Sequence, residues 1–143
     1  MPQGQSVIRQ QQRSQITYMS RTLTLNATIR DAQQWSQHQG PGLSLLFDIY
    51  AVLDSEVQTN TFGGLEFELR DHSGSVKATY FQMEEPMINA NIGDWLRVEA
   101  VVRYWGFQVT HLKLAEPTYL IGLREKIAAS RRALEERIRC QSS

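Results

Sequence analysis

Cysteine, histidine and long apolar runs are scarce in this chain of 143 residues, and each scarcity excludes a class of protein. Cys140 is the single cysteine, so no internal disulfide bond can form and nothing indicates an oxidising compartment. No window approaches the roughly 20 apolar residues that a membrane-spanning helix needs. The first residues, MPQGQSVIRQQQRSQ, contain no continuous apolar stretch, so we expect no secretory signal. An intracellular protein is the resulting expectation.

Groups that carry catalysis or hold metal ions are also few. The histidines, His38, His72 and His111, lack a spacing such as H-x-x-x-H, which would set two ligands on one helix face. The sequence has no Gly-rich phosphate loop, nucleophile elbow or Cys/His pair, and Glu84 and Glu85 adjoin a proline and are expected to face solvent. We therefore predict a protein that is not an enzyme and has no cofactor, no metal, no small-molecule substrate and no membrane contact.

The net charge of zero hides a segregation of charge along the chain. Residues 1–30 contain arginines and no acid, whereas residues 43–115 contain ten acids against five bases. Strong, sequence-independent binding of nucleic-acid phosphates depends on basic groups that displace counterions. The acidic middle of the chain therefore argues against binding of that kind.

Composition and periodicity divide the chain into four parts. Residues 1–20 contain six glutamines and few large apolar side chains, which predicts a flexible arm. Residues 21–42 form an N-terminal extension, with an apolar alternation at Leu23 and Leu25 and a helical turn from Ile29 to Trp35. Residues 43–116 form the main domain, and residues 117–140 form a C-terminal helix.

Apolar residues alternate with polar ones from Leu43 onward, and this alternation predicts five strands. A connecting element with a proline and room for a short helix separates the third strand from the fourth. This order is typical of the five-stranded antiparallel OB barrel, whose exposed sheet and loops bind oligonucleotides. The predicted fold class is mainly β, an OB-fold barrel with a C-terminal amphipathic α-helix. The predicted core residues are Leu45, Phe47, Ile49, Ala51, Leu53, Leu65, Phe67, Leu69, Val76, Ala78, Tyr80, Leu96, Val98, Ala100 and Val102.

The C-terminal helix carries an apolar stripe that follows a heptad and is interrupted by Ser130 and Arg137. Either the stripe folds back onto its own barrel or it pairs with helices of partner subunits. At 1.5 Å per residue the stripe is about 27 Å long, more than one face of a small barrel readily covers, which favours the partner. The predicted partner-binding residues are Leu120, Leu123, Ile127, Leu134 and Ile138.

Four segments occur in an order that carries a family resemblance. They are TLNATIRDAQQW before the barrel, LRDHSGSVKATYF as a strand-turn-strand, NIGDWLRVEAVVRYW as the fourth strand, and the terminal amphipathic helix. Together they resemble the middle subunit of replication protein A and its relative, the Stn subunit of the CST telomere complex. The resemblance extends from residue 22 to about residue 138.

The resemblance implies a nucleic-acid site and a partner. Two exposed aromatics of that family stack on single-stranded DNA, and alignment puts Phe81 and Trp105 at those positions, beside Lys77 and Arg103. The terminal helix would join a bundle with other OB-fold subunits as a heterodimer or larger complex. A nuclear, chromosomal location and a role in DNA replication, repair or telomere maintenance follow from the same resemblance.

Several alternatives remain for these residues. The N-terminal segment or the C-terminal helix would cover Phe81 and Trp105 if they are structural, and Trp35 and Trp95 are expected to pack at the barrel ends. Tyr104 is expected to point toward the core. The whole domain would instead be a scaffold that binds only protein if DNA contact belongs to another subunit. An RNA-binding, cold-shock-like module is disfavoured because clustered aromatics on adjacent strands are missing.

Overall fold

The computed structural model describes residues 22–81 and 89–142, with side chains up to residue 140. The predicted arm of residues 1–20, Glu84, Glu85 and most of the segment with room for a short helix lie outside the described residues. Two short 3₁₀ turns, Ser36–His38 and Pro117–Leu120, accompany the longer elements. The longer elements are β1 (Thr22–Asn26), α1 (Ile29–Trp35), β2 (Ser44–Leu53), β3 (Gln58–Thr59), β4 (Leu65–Asp71), β5 (Gly74–Tyr80), β6 (Trp95–Arg103), β7 (Gly106–Leu114) and α2 (Leu123–Ser142).

Five of the strands form a closed barrel in the order β2, β6, β7, β5, β4. The pairs Val52↔Arg70 and Leu53↔Leu69 close it between β2 and β4, and β5 and β7 are the one parallel pair within this ring. This topology confirms the predicted OB fold. The described residues also contain two further strands, β1 and β3. β1 runs parallel to the first half of β2, along the edge that β4 pairs with farther on.

The barrel core follows the predicted alternation. Phe47, Ile49, Leu69, Leu96 and Val98 are all almost completely buried. The predicted core residues Leu65, Tyr80 and Val102 are half-buried because they lie near strand ends. Residues at i, i+2 and i+4 of a strand share one face, so the period of two in the sequence found these residues. Phe107 and Val109 of β7, which are also buried in this core, were not predicted.

Two aromatic predictions are wrong and one is confirmed. Trp35 is buried and its ring lies 6.5 Å from the ring of Phe47. Trp95 is instead 43% exposed, because it begins β6 on the outer face of the sheet. Tyr104 is fully exposed rather than in the core. It is the first residue of the two-residue turn between Arg103 and Gly106, where strand alternation no longer applies.

α1 covers one end of the barrel. Thr28 caps it, because its hydroxyl oxygen accepts a hydrogen bond from the backbone N–H of Asp31 at 3.0 Å. The carboxylate of Asp71, at the end of β4, accepts a second bond from the N–H of Ile29 at 2.9 Å. Two orphan donors of the first turn are therefore satisfied, one of them by a residue of the barrel.

α2 docks on its own chain along β1. Leu134 is only 3% exposed, and Ile127 and Ile138 pack half-buried against the same core. The backbone N–H of Asn26 donates a hydrogen bond of 2.9 Å to the hydroxyl of Ser130, one of the two residues predicted to interrupt the stripe. The assignment of Leu134 to a partner is therefore wrong, since its side chain lies in the core of this chain. Within the described part of the chain, no helix is long and apolar enough to span a membrane.

The 3₁₀ turn before α2 covers the outer face of β2 and β6. Arg97 of β6 binds the Asp48 carboxylate through two hydrogen bonds of 3.1 and 2.8 Å, and this bonding to Asp48 raises the pKa of the Arg97 guanidinium. The guanidinium carbon lies 4.7 Å from the ring centroid of Tyr119. The Tyr119 ring lies 5.9 Å from the ring of Tyr50, which is buried although it points away from the barrel core.

Tyr50 is predicted to make the protein less stable in alkali. Burial, and then the neighbouring Asp48 carboxylate, raise the pKa of its phenol above the usual 10.0. The unfolded chain releases this proton first, so the stabilisation is complete below about pH 10 and is lost as the pH rises through the folded pKa. Urea unfolding at pH values on either side of 10 should show that the free energy of unfolding falls less above pH 10 for Tyr50→Phe than for the wild type. Tyr104→Phe, at a fully exposed ring, is the matched control, and equal losses in wild type and Tyr50→Phe would contradict the prediction.

Candidate nucleic-acid interface

The predicted DNA-binding residues lie on the outer face of β5 and in the turn between β6 and β7. β5 carries Lys77 on the face opposite the buried Val76 and Ala78, and Phe81 follows directly after the strand. The turn consists of Tyr104 and Trp105. Because β7 pairs with β5 directly after this turn, the turn lies beside the first half of β5.

Three of the four predicted residues meet at this end of the face. Lys77, Arg103 and Trp105 line one surface depression of about 490 Å³, together with Gln33 and Ser36 at the end of α1. Trp105 is 37% exposed there. Part of its ring is therefore available to a ligand. Of the segments that were expected to cover it if it is structural, the N-terminal extension borders this depression through Gln33 and Ser36, whereas α2 does not line it.

Phe81 lies at the other end of the same face. It is 47% exposed, and its ring packs over Gly64, where an added Cβ atom would lie only 2.8 Å from the ring. Phe81 lies four positions after Lys77 along the extended chain, which corresponds to about 13 Å. The structure therefore keeps the two predicted stacking aromatics at opposite ends of the face.

Two further exposed aromatics border this face, and sequence reasoning did not select them. Phe62 is 84% exposed in the loop between β3 and β4, two residues before the glycine on which Phe81 packs. Tyr104 is fully exposed beside Trp105. A phenylalanine within the polar stretch QTNTFGG was a signal for Phe62, because an apolar ring in such a loop has no strand face to cover it.

The basic side chains of this face already have partners within the protein. Lys77 Nζ lies 3.6 Å from a carboxylate oxygen of Glu66, and Arg103 Nε donates a hydrogen bond of 2.9 Å to Gln108 Oε1. Glu56 and Glu68 line a second depression near the loop end, and neither forms an ion pair with a described residue. The face is therefore acidic near the loop and mildly basic near the turn.

The histidines and carboxylates form no metal site in the part of the chain that is described. No group of three or more His, Cys, Asp or Glu side chains in residues 22–81 and 89–142 is arranged to hold an ion. His72 lies in the turn between β4 and β5, and His111 Nε2 lies 3.8 Å from Glu99 Oε2.

Solved structures of other proteins share this fold, although their sequences differ widely from this one. No protein-family model and no curated protein matches the sequence. Solved structures do match. A structure of yeast Stn1 and Ten1 aligns with a TM-score of 0.63 and 10% identity, over 79% of this chain and 75% of that one. The protein has the OB fold of such subunits.

Two further structures support this likeness. A chain of a replication protein A heterotrimer bound to single-stranded DNA has a TM-score of 0.63 and 11% identity, over 78% of this chain and 98% of that one. Telomere capping protein Ten1 from Saccharomyces pombe has a TM-score of 0.52 and 14% identity, over 78% and 97%. The predicted resemblance to OB-fold subunits of these complexes is confirmed at the level of the fold.

Proposed function

We propose that this chain is a non-catalytic OB-fold subunit of a replication-protein-A-like or CST-like complex, and that it binds or protects single-stranded DNA in the nucleus. The observation that carries the proposal is the set of exposed aromatics, Phe62 and Phe81 at one end and Tyr104 and Trp105 at the other, of the outer face of β4 and β5, which we call the β4–β5 face. The fold that carries this face is shared with a chain of a heterotrimer bound to single-stranded DNA. Genome or telomere maintenance is the corresponding role.

Stacking supplies most of the binding in this proposal. A base on an aromatic side chain contributes about 1–3 kcal/mol, and OB folds bind about 4–16 nucleotides. Trp105 and Phe81 would each hold one base, with Tyr104 and Phe62 beside them. Lys77 and Arg103 would bind phosphates near Trp105, after giving up part of their contacts with Glu66 and Gln108.

Assembly is the second part of the proposal. Other OB-fold subunits would bind α2 and the turn before it. Leu134 is excluded from this contact because it is buried in its own chain. The remaining predicted partner residues, Leu120, Leu123, Ile127 and Ile138, stay in the proposal, and Leu120 is the most exposed of them in the described structure.

A scaffold that binds only protein is the second candidate function. The acids of the face favour it, since Glu66 neutralises Lys77 and Glu56 and Glu68 repel phosphates. A scaffold would show no binding to DNA alone even at low ionic strength, where electrostatic attraction is strongest.

Replacing both Phe81 and Trp105 by alanine is predicted to weaken binding of a fluorescent oligothymidylate at least about 30-fold, since each of the two lost stacking contacts contributes about 1–3 kcal/mol. Fluorescence anisotropy measures the affinity. Trp95→Ala is the matched control, because Trp95 is a similarly exposed tryptophan on β6 that lines neither of the two depressions described above.

The dependence of the affinity on salt concentration is a second test of DNA binding. Lys77 and Arg103 would each contact one phosphate. Two such contacts predict a shallow slope of about −1.4 when the logarithm of the binding constant is plotted against the logarithm of the salt concentration. If the wild type binds no oligonucleotide at low salt, the scaffold candidate replaces the DNA proposal. Equal affinity of the wild type and the double variant would show that DNA binds elsewhere.

A further inference from the structure

A cleft of about 500 Å³ lies where the start of α1, the turn between β4 and β5, and the first half of α2 meet. We call it the α1–α2 cleft. Leu123, Ile127 and Ala128 of α2 supply its apolar lining, and all three are half-buried. Its volume is within the range of about 300–1,000 Å³ that is usual for binding clefts.

Contacts within the chain hold the walls of the cleft in position. The hydroxyl of Ser73 accepts a hydrogen bond of 3.0 Å from the backbone N–H of Arg30, which joins α1 to the β4–β5 turn. Arg131 of α2 lies 3.6 Å from a carboxylate oxygen of Asp31 on α1. Because these walls are already in contact, a ligand would bind without having to order them first.

The rim of the cleft is basic. Arg30, His72, Arg124 and Arg131 line it, and all four are exposed. Arg131 is paired with Asp31, but Arg30 and Arg124 form no ion pair with any residue that the structure describes. Two permanent positive charges therefore border an apolar floor.

Asp31 is the one acid among the described lining residues, Asp71 lies beside the β4–β5 turn, and both are engaged. The side chain of Asp31 is only 17% exposed and is the partner of Arg131. Asp71 is buried next to the turn, where its carboxylate accepts hydrogen bonds from the backbone N–H groups of Ile29, Ser73 and Gly74. Neither acid is free to neutralise Arg30 or Arg124.

We propose that the α1–α2 cleft binds a short acidic segment of a partner protein. Its apolar side chains would pack on Leu123 and Ile127, and its carboxylates would pair with Arg30 and Arg124. The proposal rests on the assembly part of the proposed function, for which it names the chemistry of the partner, and it is independent of DNA binding.

Charge and shape distinguish this occupant from two others. Residues 1–21 of the chain itself contain arginines and no acid, so charge disfavours them as the occupant. A single-stranded nucleic acid would need aromatic platforms, and His72 is the one ring among the described lining residues. Leucine-like side chains fit the floor and carboxylates fit the rim.

Fluorescence anisotropy with a labelled synthetic peptide tests the proposal on the full-length chain. The probe carries leucines at helical spacing separated by glutamates, and a control peptide has lysine in place of every glutamate. We expect saturable binding of the acidic probe only. Arg30→Glu and Arg124→Glu should each weaken it about tenfold, since each reverses one charge pair at the rim.

Lys126→Glu is the matched control variant. Lys126 is exposed on the same helix two residues from Arg124, outside the cleft lining, so its reversal should leave the affinity for the probe unchanged. Equal losses of affinity for the probe in Arg124→Glu and Lys126→Glu would overturn the proposal. They would show that the probe is attracted by the charge of the helix in general and does not bind in the cleft. Failure of the wild type to bind the probe would also overturn it, as would displacement of the probe by oligothymidylate. The variant with alanine at Phe81 and Trp105 keeps the cleft intact. Its DNA titration therefore tests the DNA part of the proposed function separately from peptide binding.

Discussion

Replacement of Gly106 by alanine is expected to lower the free energy of unfolding by about 4 kcal/mol, the largest effect we expect from one substitution. Gly106 begins β7 with a φ of 144°, which L-residues with a side chain rarely adopt. A Cβ atom there would also lie well inside 3.0 Å of the backbone carbonyl oxygen of Lys77. Backbone cannot swing aside as a flexible side chain does, so the β5–β7 pair must separate.

Gly74→Ala is the matched control for this experiment. Gly74 also begins a strand, but no atom lies within 4 Å of an added Cβ. Urea unfolding should give nearly wild-type stability for Gly74→Ala and a large loss for Gly106→Ala. A loss below about 1 kcal/mol for Gly106→Ala would mean that β5 and β7 approach less closely than described.

Replacement of Asp71 by alanine is expected to lower the free energy of unfolding by about 3 kcal/mol, because it leaves one buried and two part-buried backbone donors without their acceptor. The carboxylate receives bonds of 2.9 Å from Ile29, 2.8 Å from Ser73 and 3.2 Å from Gly74. One side chain therefore caps α1 and shapes the β4–β5 turn at once. Loss of these bonds should free α1 from the end of the barrel.

Two comparisons make the Asp71 experiment specific. Asp71→Asn keeps one acceptor oxygen and should lose less stability than Asp71→Ala. Asp54→Ala removes an ion pair with Arg70 at a half-exposed site, where such pairs contribute at most about 1 kcal/mol. Equal losses of unfolding free energy for Asp54→Ala and Asp71→Ala, measured by urea unfolding, would contradict the role of Asp71 as the acceptor that joins α1 to the β4–β5 turn.

α1 connects the two proposed surfaces of the molecule. Gln33 in its last turn and Ser36 directly after it line the depression that contains Trp105, whereas Arg30 and Asp31, at its start, line the α1–α2 cleft. Asp71 holds the start of this helix. The Asp71→Ala variant should therefore weaken both the oligonucleotide and the peptide interactions, unlike the surface variants, which affect one each.

Local patterns in the sequence were sufficient for the barrel. Alternation identified the buried face of four of the five barrel strands, because side-chain direction in a strand depends only on position along it. Phe107 and Val109 of β7 are also buried but were not among the predicted core residues. The turn DHSG and the helical segment from Ile29 to Trp35 were also found from neighbouring residues. The family resemblance located Phe81 and Trp105, which the structure leaves partly exposed on one face.

Contacts between distant residues decided the rest. Leu134 is buried because α2 lies on β1, with Ser130 bound to Asn26, a pair separated by 104 positions that no local pattern reveals. Lys77 is neutralised by Glu66 because β4 and β5 pair in one particular register. Periodicity records which face of an element is apolar, but which surface covers that face, and which charges meet across it, depends on the three-dimensional arrangement of the elements. The sequence alone therefore determined the OB barrel, whereas the docked helix, the paired charges and the α1–α2 cleft were decided by the tertiary structure.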